Sequence, residues 1–367
     1  DYFLGFIELD DQGIPLNSRQ QDTLFDHIFQ KASVNDLVIV VYIHDWRHSA
    51  ESGDSAIMSF RHKLKHLSRI ETNKNKNKNK KVIGVYVGWN ASSINALTSL
   101  LSEFTFSHRN EVAEKIGQGI TPLLLRLEEI VNVKKSFDFS KRSPLQSKLI
   151  LIGDGLGGTV AFSGLYQIFM DRYIDPKQSN GFVSSGIKGY GDLVILLNPY
   201  IEAIRYYPLF NLGQNGCRRF FSSQLPKLVM LTSESNNLSK YVFPIVRYFS
   251  RLFSYDSVIE ILECKGSGLS NSKEVTLENT DVYLKTIGHY SPLITHALTS
   301  SLNNTKINNI KNVNNLWSHQ KNGGTIQLFE TELNHLSKTV PFNPFLNIQV
   351  DQNLMDGAND TSGRDFT

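Results

Sequence analysis

Short apolar runs recur along the chain, separated by longer stretches in which apolar residues return at helical spacing. Runs of this length are typical of strands that are buried on both faces. Their alternation with helix-compatible stretches predicts an α/β fold, with a mostly parallel central sheet, helices on both faces and a single domain over residues 1–367. The strongest runs lie at about residues 37–43, 82–87, 148–152, 192–197, 227–232 and 345–350.

The clearest helix candidate runs from Arg109 to about Val133, where apolar residues follow the helical period. Pro122 lies inside this segment, together with Gly117 and Gly119. Proline removes a backbone donor and glycine is a weak helix former, so these residues predict a kink or a division of the helix.

A glycine-rich segment, Gly153–Gly158, follows the apolar run at 148–152 and precedes a stretch with helical spacing. A strand, a tight turn rich in glycine and a helix form the frame of a nucleophile elbow, G-x-S-x-G. Glycine stands at position 155, where that motif has serine. The segment also approximates a dinucleotide-binding fingerprint, although such fingerprints usually lie near the start of a domain.

Several further segments resemble the microbial serine esterases and lipases of the α/β-hydrolase superfamily, and the resemblance extends over nearly the whole chain. It implies an α/β-hydrolase fold, with possible lid insertions at about 200–224 and 238–256. The segments that carry it are Phe6–Gly13, Val38–Trp46, Val82–Trp89, Gly191–Pro199 and Leu231–Glu234.

The resemblance places the three members of a catalytic triad on residues that lack triad chemistry. The nucleophile position is Gly155, the acid position in Thr232–Asn236 is Asn236, and the base position in Asp356–Asp360 is Ala358. Glycine has no nucleophilic atom, alanine accepts no proton, and a neutral amide does not stabilise an imidazolium ion. All three catalytic roles are therefore expected to be lost.

The resemblance also implies an oxyanion hole at Asp45, Trp46 and Leu156, where the family's His-Gly-Trp reads His44-Asp45-Trp46. A carboxylate beside an oxyanion hole opposes the negative charge that the hole stabilises, unless the side chain turns away. Because aspartate is a favoured N-cap, we expect Asp45 to cap the next helix.

Three other polar residues are candidates for lining a pocket: His44, Asp154 and His289. Asp154 stands one place too early to replace the missing nucleophile. Together with Asp45 these side chains have the chemistry of zinc ligands, but their spacing does not demand a metal site. We expect no metal and no cofactor, and we expect His289 to be a hydrogen-bonded structural histidine.

Composition limits the kinds of partner that we expect for the protein. The net charge of +3 is small for 367 residues, so nucleic acid is not an expected partner. No apolar run is long enough to span a membrane, and a chain with only two cysteines leans towards the cytoplasm. Two segments of biased composition, 73–81 and 303–315, are expected to be solvated loops.

Three functions are compatible with these observations. The first is a catalytically silent hydrolase-like protein that binds a protein partner or an apolar, acyl-type small molecule through its inherited surface or pocket. Aromatic residues around Tyr206 and Tyr241 would suit such a ligand, although core packing explains them equally well. The second is an active serine esterase or lipase with a displaced triad, for which Ser163 and Ser233 are the nearest serines. The third is a structural role in an assembly.

Overall fold

The computed structural model shows a mixed α/β protein that divides into two compact units, Asp1–Tyr166 with Tyr190–Leu197 (unit 1) and Gln167–Gly189 with Asn198–Phe366 (unit 2). The expectation of a single domain stays a prediction. The structure describes residues 2–74, 80–89, 102–139, 147–174, 178–179, 182–183, 186–214, 220–250, 259–264, 272–277, 281–301, 317, 323–337 and 339–355.

Unit 1 contains five parallel strands in the order β1-β3-β2-β4-β7. The inner strands are apolar on both faces because helices cover both. On one face, buried residues of β2 and β3 pack against Phe60 and Leu64 of α2. The elements are β1 (Tyr2–Leu9), α1 (Ser18–Val34), β2 (Asp36–Ile43), α2 (Ser55–Lys74), β3 (Lys80–Trp89), α3 (Ser102–Phe139), β4 (Lys148–Asp154), β7 (Leu193–Leu197) and α4 (Leu156–Ile174), whose last residues belong to unit 2.

Unit 2 contains the strand order β8-β14-β11-β13-β12, in which the first three strands are parallel and the last two add an antiparallel extension. Two short hairpins, β5-β6 and β9-β10, stand apart from this sheet. The elements are β5 (Gln178–Ser179), β6 (Phe182–Val183), α5 (Ala203–Gln214), β8 (Leu228–Ser233), α6 (Phe243–Ser250), β9 (Ile259–Cys264), β10 (Ser272–Leu277), α7 (Asp281–Leu284), β11 (His296–Ser300), β12 (Thr325–Leu328), β13 (Thr331–His335) and β14 (Phe345–Val350).

The six predicted strands are confirmed as β2, β3, β4, β7, β8 and β14. The predicted helix is also present, as α3, and it is not divided at Pro122, because the helix continues to Phe139. The alternative of a kink there stays a prediction. Buried residues on both sides of the proline, including Ile120 and Leu124, anchor the helix to unit 1. This packing outweighs the local cost of the proline.

The start of α4 packs unusually closely against α3. A Cβ atom at Gly117 would lie 2.6 Å from both the Val160 carbonyl oxygen and the Ser163 Cβ. A Cβ at Gly164 would lie 2.6 Å from the Gly117 carbonyl oxygen. The glycines therefore permit a contact of backbone against backbone, which fixes the helix that begins at the elbow.

Candidate functional site

The elbow has the strand-turn-helix geometry that the sequence predicts. β4 ends at Asp154, Gly155 adopts a φ of +53°, and α4 begins at Leu156. The Gly155 amide donates to the Leu197 carbonyl at the end of β7, at 2.8 Å. A Cβ at Gly157 would collide with the carbonyl oxygens of Ile43 and His44, so the turn is crowded by backbone and requires glycine there.

The Asp45 carboxylate occupies the space beside Gly155. β2 and β4 are neighbours in register, with Ile43 opposite Gly153, so the loop after β2 reaches the elbow. Asp45 Oδ1 accepts a hydrogen bond from the Leu156 amide at 2.9 Å, and it stands where a Cβ at Gly155 would lie. Arg47 Nε donates to Asp45 Oδ2 at 3.1 Å.

The expectation that Asp45 caps the next helix is wrong. The next helix is α2, and Asp54 accepts from its Ala56 amide at 2.8 Å. Asp45 instead caps α4, which begins 111 residues further along the chain. The reason is the sheet order, because β2 and β4 are adjacent although α2, β3 and α3 separate them in sequence.

A second cation near the elbow, Arg109, packs on the ring of Trp46. The Arg109 guanidinium lies 3.9 Å from the centroid of that ring, a cation–π contact, and that of Arg47 lies 5.9 Å away. Burial lowers the pKa of Arg109, and the negative charge of Asp45 opposes this effect. Within the described ranges, the buried Nε1 of Trp46 and the buried Nε of Arg109 have no hydrogen-bond partner.

His44 is held by the protein on both ring nitrogens. Its Nδ1 donates to the Asp45 carbonyl at 2.7 Å, and its Nε2 accepts from the Trp89 amide at 3.1 Å. The Trp89 indole donates in turn to the His44 carbonyl at 2.9 Å. Burial lowers the pKa of His44, which keeps the ring neutral. These contacts indicate that His44 supports the loop that carries Asp45.

Asp154 is a partly buried carboxyl at the end of β4, and Tyr42 Oη donates to its Oδ2 at 3.0 Å. Burial raises the pKa of Asp154 to about 6, and the nearby charge of Asp45 adds to this effect. The Tyr42 hydrogen bond and the positive charges of His48 and Lys63 oppose it. The two carboxyl groups beside Gly155 therefore differ in their surroundings.

The acid position of the resemblance lies in unit 2, in the turn after β8. Asn236 is fully buried, and its Oδ1 accepts from the Ser239 amide at 3.3 Å. Among the residues that the structure describes, its Nδ2 has no hydrogen-bond partner. A buried donor without a partner is costly, so this amide nitrogen marks a place where a hydrogen-bond acceptor would be stabilising.

A serine and a histidine meet close to Asn236. Ser239 lies in a π-helical segment, Leu238–Val242, and its Oγ is 2.8 Å from His289 Nε2 in the 3-10 turn Ile287–His289. The Ser239 hydroxyl also contacts the Asn236 carbonyl at 3.2 Å. Burial and the charges of Lys240 and Lys285 lower the pKa of His289 to about 4. His289 is thus the hydrogen-bonded histidine that we expected from the sequence.

The other predicted positions are less informative. Ala358 lies outside the described residues, as do most of segments 73–81 and 303–315. Ser163 packs against α3, and Ser233 Oγ donates to the Met355 carbonyl at 2.6 Å. Tyr206 and Phe210 are buried core residues, whereas Tyr241 and Tyr248 are exposed.

The described residues form no cluster of metal ligands, and their groove along α3 lies apart from the predicted site residues. Within them, no group of three or more His, Cys, Asp or Glu side chains is placed to hold a metal ion. A shallow groove of about 600 Å³ follows α3 between Pro122 and Val133 and contains none of the predicted site residues. In the same part of the chain no helix is long and apolar enough to span a membrane, as the sequence predicts.

Sequence reasoning missed Arg47, Arg109, Tyr42 and Ser239. Arg47 had a weak signal, because it stands two residues after Asp45. The other three reach the two turns only through the fold.

Comparisons of the chain with family models, curated proteins and solved structures found no match.

Proposed function

We propose that this protein is a catalytically silent relative of the α/β-hydrolases, which binds a protein partner or an apolar, acyl-type ligand. The observation that carries the proposal is the elbow itself. Its turn and helix have the geometry that positions a nucleophile, but glycine stands at the turn and a carboxylate fills the adjacent space.

Electrostatics at the elbow also oppose acyl transfer. In the hydrolase mechanism, the amide of the residue after the nucleophile donates to the developing oxyanion. Here that residue is Leu156, whose amide already donates to Asp45 Oδ1. The same carboxylate argues against the phosphate-loop alternative, because it places negative charge at the helix N-terminus where a phosphate would bind.

The state of Asn236 supports the proposal independently. An active acid would accept a hydrogen bond from the catalytic histidine. Asn236 instead presents a buried Nδ2 donor that has no partner within the described part of the chain, and the base position of the resemblance is alanine. The side chain retains a local role, because its Oδ1 caps the turn at Ser239.

The test is ester turnover over a series of acyl chain lengths. The native chain is compared with a revertant that carries Gly155→Ser, Asn236→Asp and Ala358→His, prepared with Asp45 and with Asp45→Gly. We expect no turnover by the native chain and a gain in the revertant that carries Asp45→Gly. Turnover by the native chain at the rate of that revertant would contradict the proposal. A displacement assay with a fluorescent fatty acid then separates an apolar ligand from a protein partner.

One observation favours the second candidate, an active hydrolase with a different nucleophile. Ser239 and His289 are within hydrogen-bonding distance, as a nucleophile and its base must be. Against it, Ser239 is fully buried and the low pKa of His289 makes it a weak base. Labelling by a fluorophosphonate probe that Ser239→Ala abolishes and Ser163→Ala leaves intact would establish this candidate.

A further inference from the structure

The Asp45 carboxylate combines three properties at one place. It accepts from the first amide of α4, pairs with Arg47, and fills the space into which a side chain at position 155 would project. It is also well sequestered, since Asp45 is only 3% exposed. An anion with these contacts resembles, in charge and position, the oxyanion that an elbow of this kind stabilises.

We propose that Asp45 forms an autoinhibitory contact. Its carboxylate accepts the hydrogen bond of the Leu156 amide, which is the donor that an oxyanion would use. The carboxylate therefore excludes external oxyanions. The inference rests on the proposed function, because it concerns the same elbow. It goes further in stating that the elbow is closed for a second reason, separate from the loss of the nucleophile.

The surroundings of the carboxylate explain why an external anion does not compete. The N-terminus of α4 favours negative charge, and Arg47 supplies a charge-assisted hydrogen bond. Asp45 is tethered by a short loop after β2, so its effective concentration at the Leu156 amide is high. His44 fixes that loop through hydrogen bonds on both ring nitrogens.

Removal of the carboxylate leaves an unoccupied set of anion-binding groups. The Leu156 amide loses its acceptor and Arg47 loses one of its partners, while Arg109 stays stacked on Trp46 nearby. A small carboxylate such as formate matches both the charge and the size of the deleted group. Formate is therefore the probe for the contact.

The experiment is a thermal-shift titration of native protein and Asp45→Gly with sodium formate, with sodium chloride at equal ionic strength as the control. We expect a saturable rise of about 2–4 °C in the Tm of Asp45→Gly and no specific rise in the native protein. Adding Arg47→Gln to Asp45→Gly should weaken the response. An equal response of native protein and variant, or no response of folded Asp45→Gly, would overturn the inference. If Asp45→Gly does not fold, Asp45→Ser is judged by the same criterion.

Ester turnover of the two revertants separates failure of this inference from failure of the proposed function. If the revertant with Asp45 is as active as the one with Asp45→Gly, the autoinhibitory contact is wrong although the native chain is still silent. If the native chain hydrolyses esters, the proposed function fails, and the formate titration still decides whether Asp45 occupies an anion-binding position.

Discussion

The elbow of unit 1 and the turn after β8 in unit 2 differ in how completely their polar groups are hydrogen-bonded. At the elbow, Asp45 fills the space beside Gly155 and accepts a hydrogen bond from the Leu156 amide. In the turn, Asn236 keeps one hydrogen bond through Oδ1, but its Nδ2 has no partner among the described residues. The Leu156 amide thus has an acceptor, whereas only one of the two polar side-chain atoms of Asn236 is paired in that part of the chain. Under the proposed function, one position without triad chemistry has acquired a structural role and the other keeps an unsatisfied group.

The largest expected effect comes from placing a side chain at position 155, beside Asp45. Gly155→Ser should lower the free energy of unfolding by about 2–4 kcal/mol, because a positive φ strains serine and its Cβ collides with Asp45. Denaturant unfolding measures the change. Gly323→Ser is the matched control, since Gly323 has a similar φ of +70° and the nearest atom to its Cβ position, Ser337 Cβ, lies at an ordinary contact distance of 3.6 Å. A smaller loss of unfolding free energy in Gly155→Ser than in this control would show that the Asp45 side chain moves aside at little cost, which would contradict the expectation.

The comparison is sharpened by removing one side chain from each turn. Asp45→Ala should cost about 2–3 kcal/mol, because it removes the acceptor of the buried Leu156 amide and one partner of Arg47. Asn236→Ala should cost less than about 1 kcal/mol, since the loss of a weak cap is offset by removal of an Nδ2 that is unpaired among the described residues. Denaturant midpoints at constant m-value test the order, and equal losses would contradict the contrast between the turns.

A smaller, pH-dependent effect is expected from the second carboxyl beside Gly155. The pKa of Asp154 is raised to about 6, so the folded state binds a proton more tightly than the unfolded state. This contribution to stability falls as pH rises from about 4 to about 6 and stays low above that range. Asp154→Asn should therefore raise stability at pH 7.5 by about 1–2 kcal/mol, and the gain should fade below pH 4.

Asp192 provides the control of opposite sign. Burial alone would raise the pKa of Asp192, but hydrogen bonds from Lys148 and from the Leu149 amide, with the charge of Lys135, lower it. Its contribution is present above the unfolded pKa and is lost as pH falls through the lowered folded value. Asp192→Asn should destabilise the protein at pH 7.5. The explanation for Asp154 fails if both variants shift in the same direction in thermal unfolding across pH 4–8.

The smallest effect is expected at His289 in unit 2. Its pKa is lowered to about 4, so acidification from about pH 6.5 to 4 protonates the unfolded state first and reduces stability. His289→Gln should remove about 1 kcal/mol of this loss at pH 4 while retaining a hydrogen-bonding group for Ser239. NMR titration of the His289 ring checks the cause directly, and a midpoint near 6.5 would contradict it.

Periodicity along the chain was sufficient for six strands, β2, β3, β4, β7, β8 and β14, and for the presence of α3, because buried strands and amphipathic helices repeat their apolar residues at characteristic intervals. It did not predict β11 or the antiparallel extension β13-β12, whose strands are short and mixed in polarity. The alternative that Pro122 divides α3 was wrong, because a local rule does not include the tertiary contacts of Ile120 and Leu124.

The sequence by itself determined the frame of the elbow, because glycines at 153, 155 and 157 follow an apolar run and precede a helix. It also determined that no nucleophile stands at the turn. Only the tertiary structure decided what occupies the adjacent space, where Asp45 arrives from a strand that is distant in sequence and adjacent in the sheet. The same holds for the meeting of Ser239 with His289. Local patterns reflect contacts between near neighbours in the chain, whereas these pairs form only when strand order brings distant segments together.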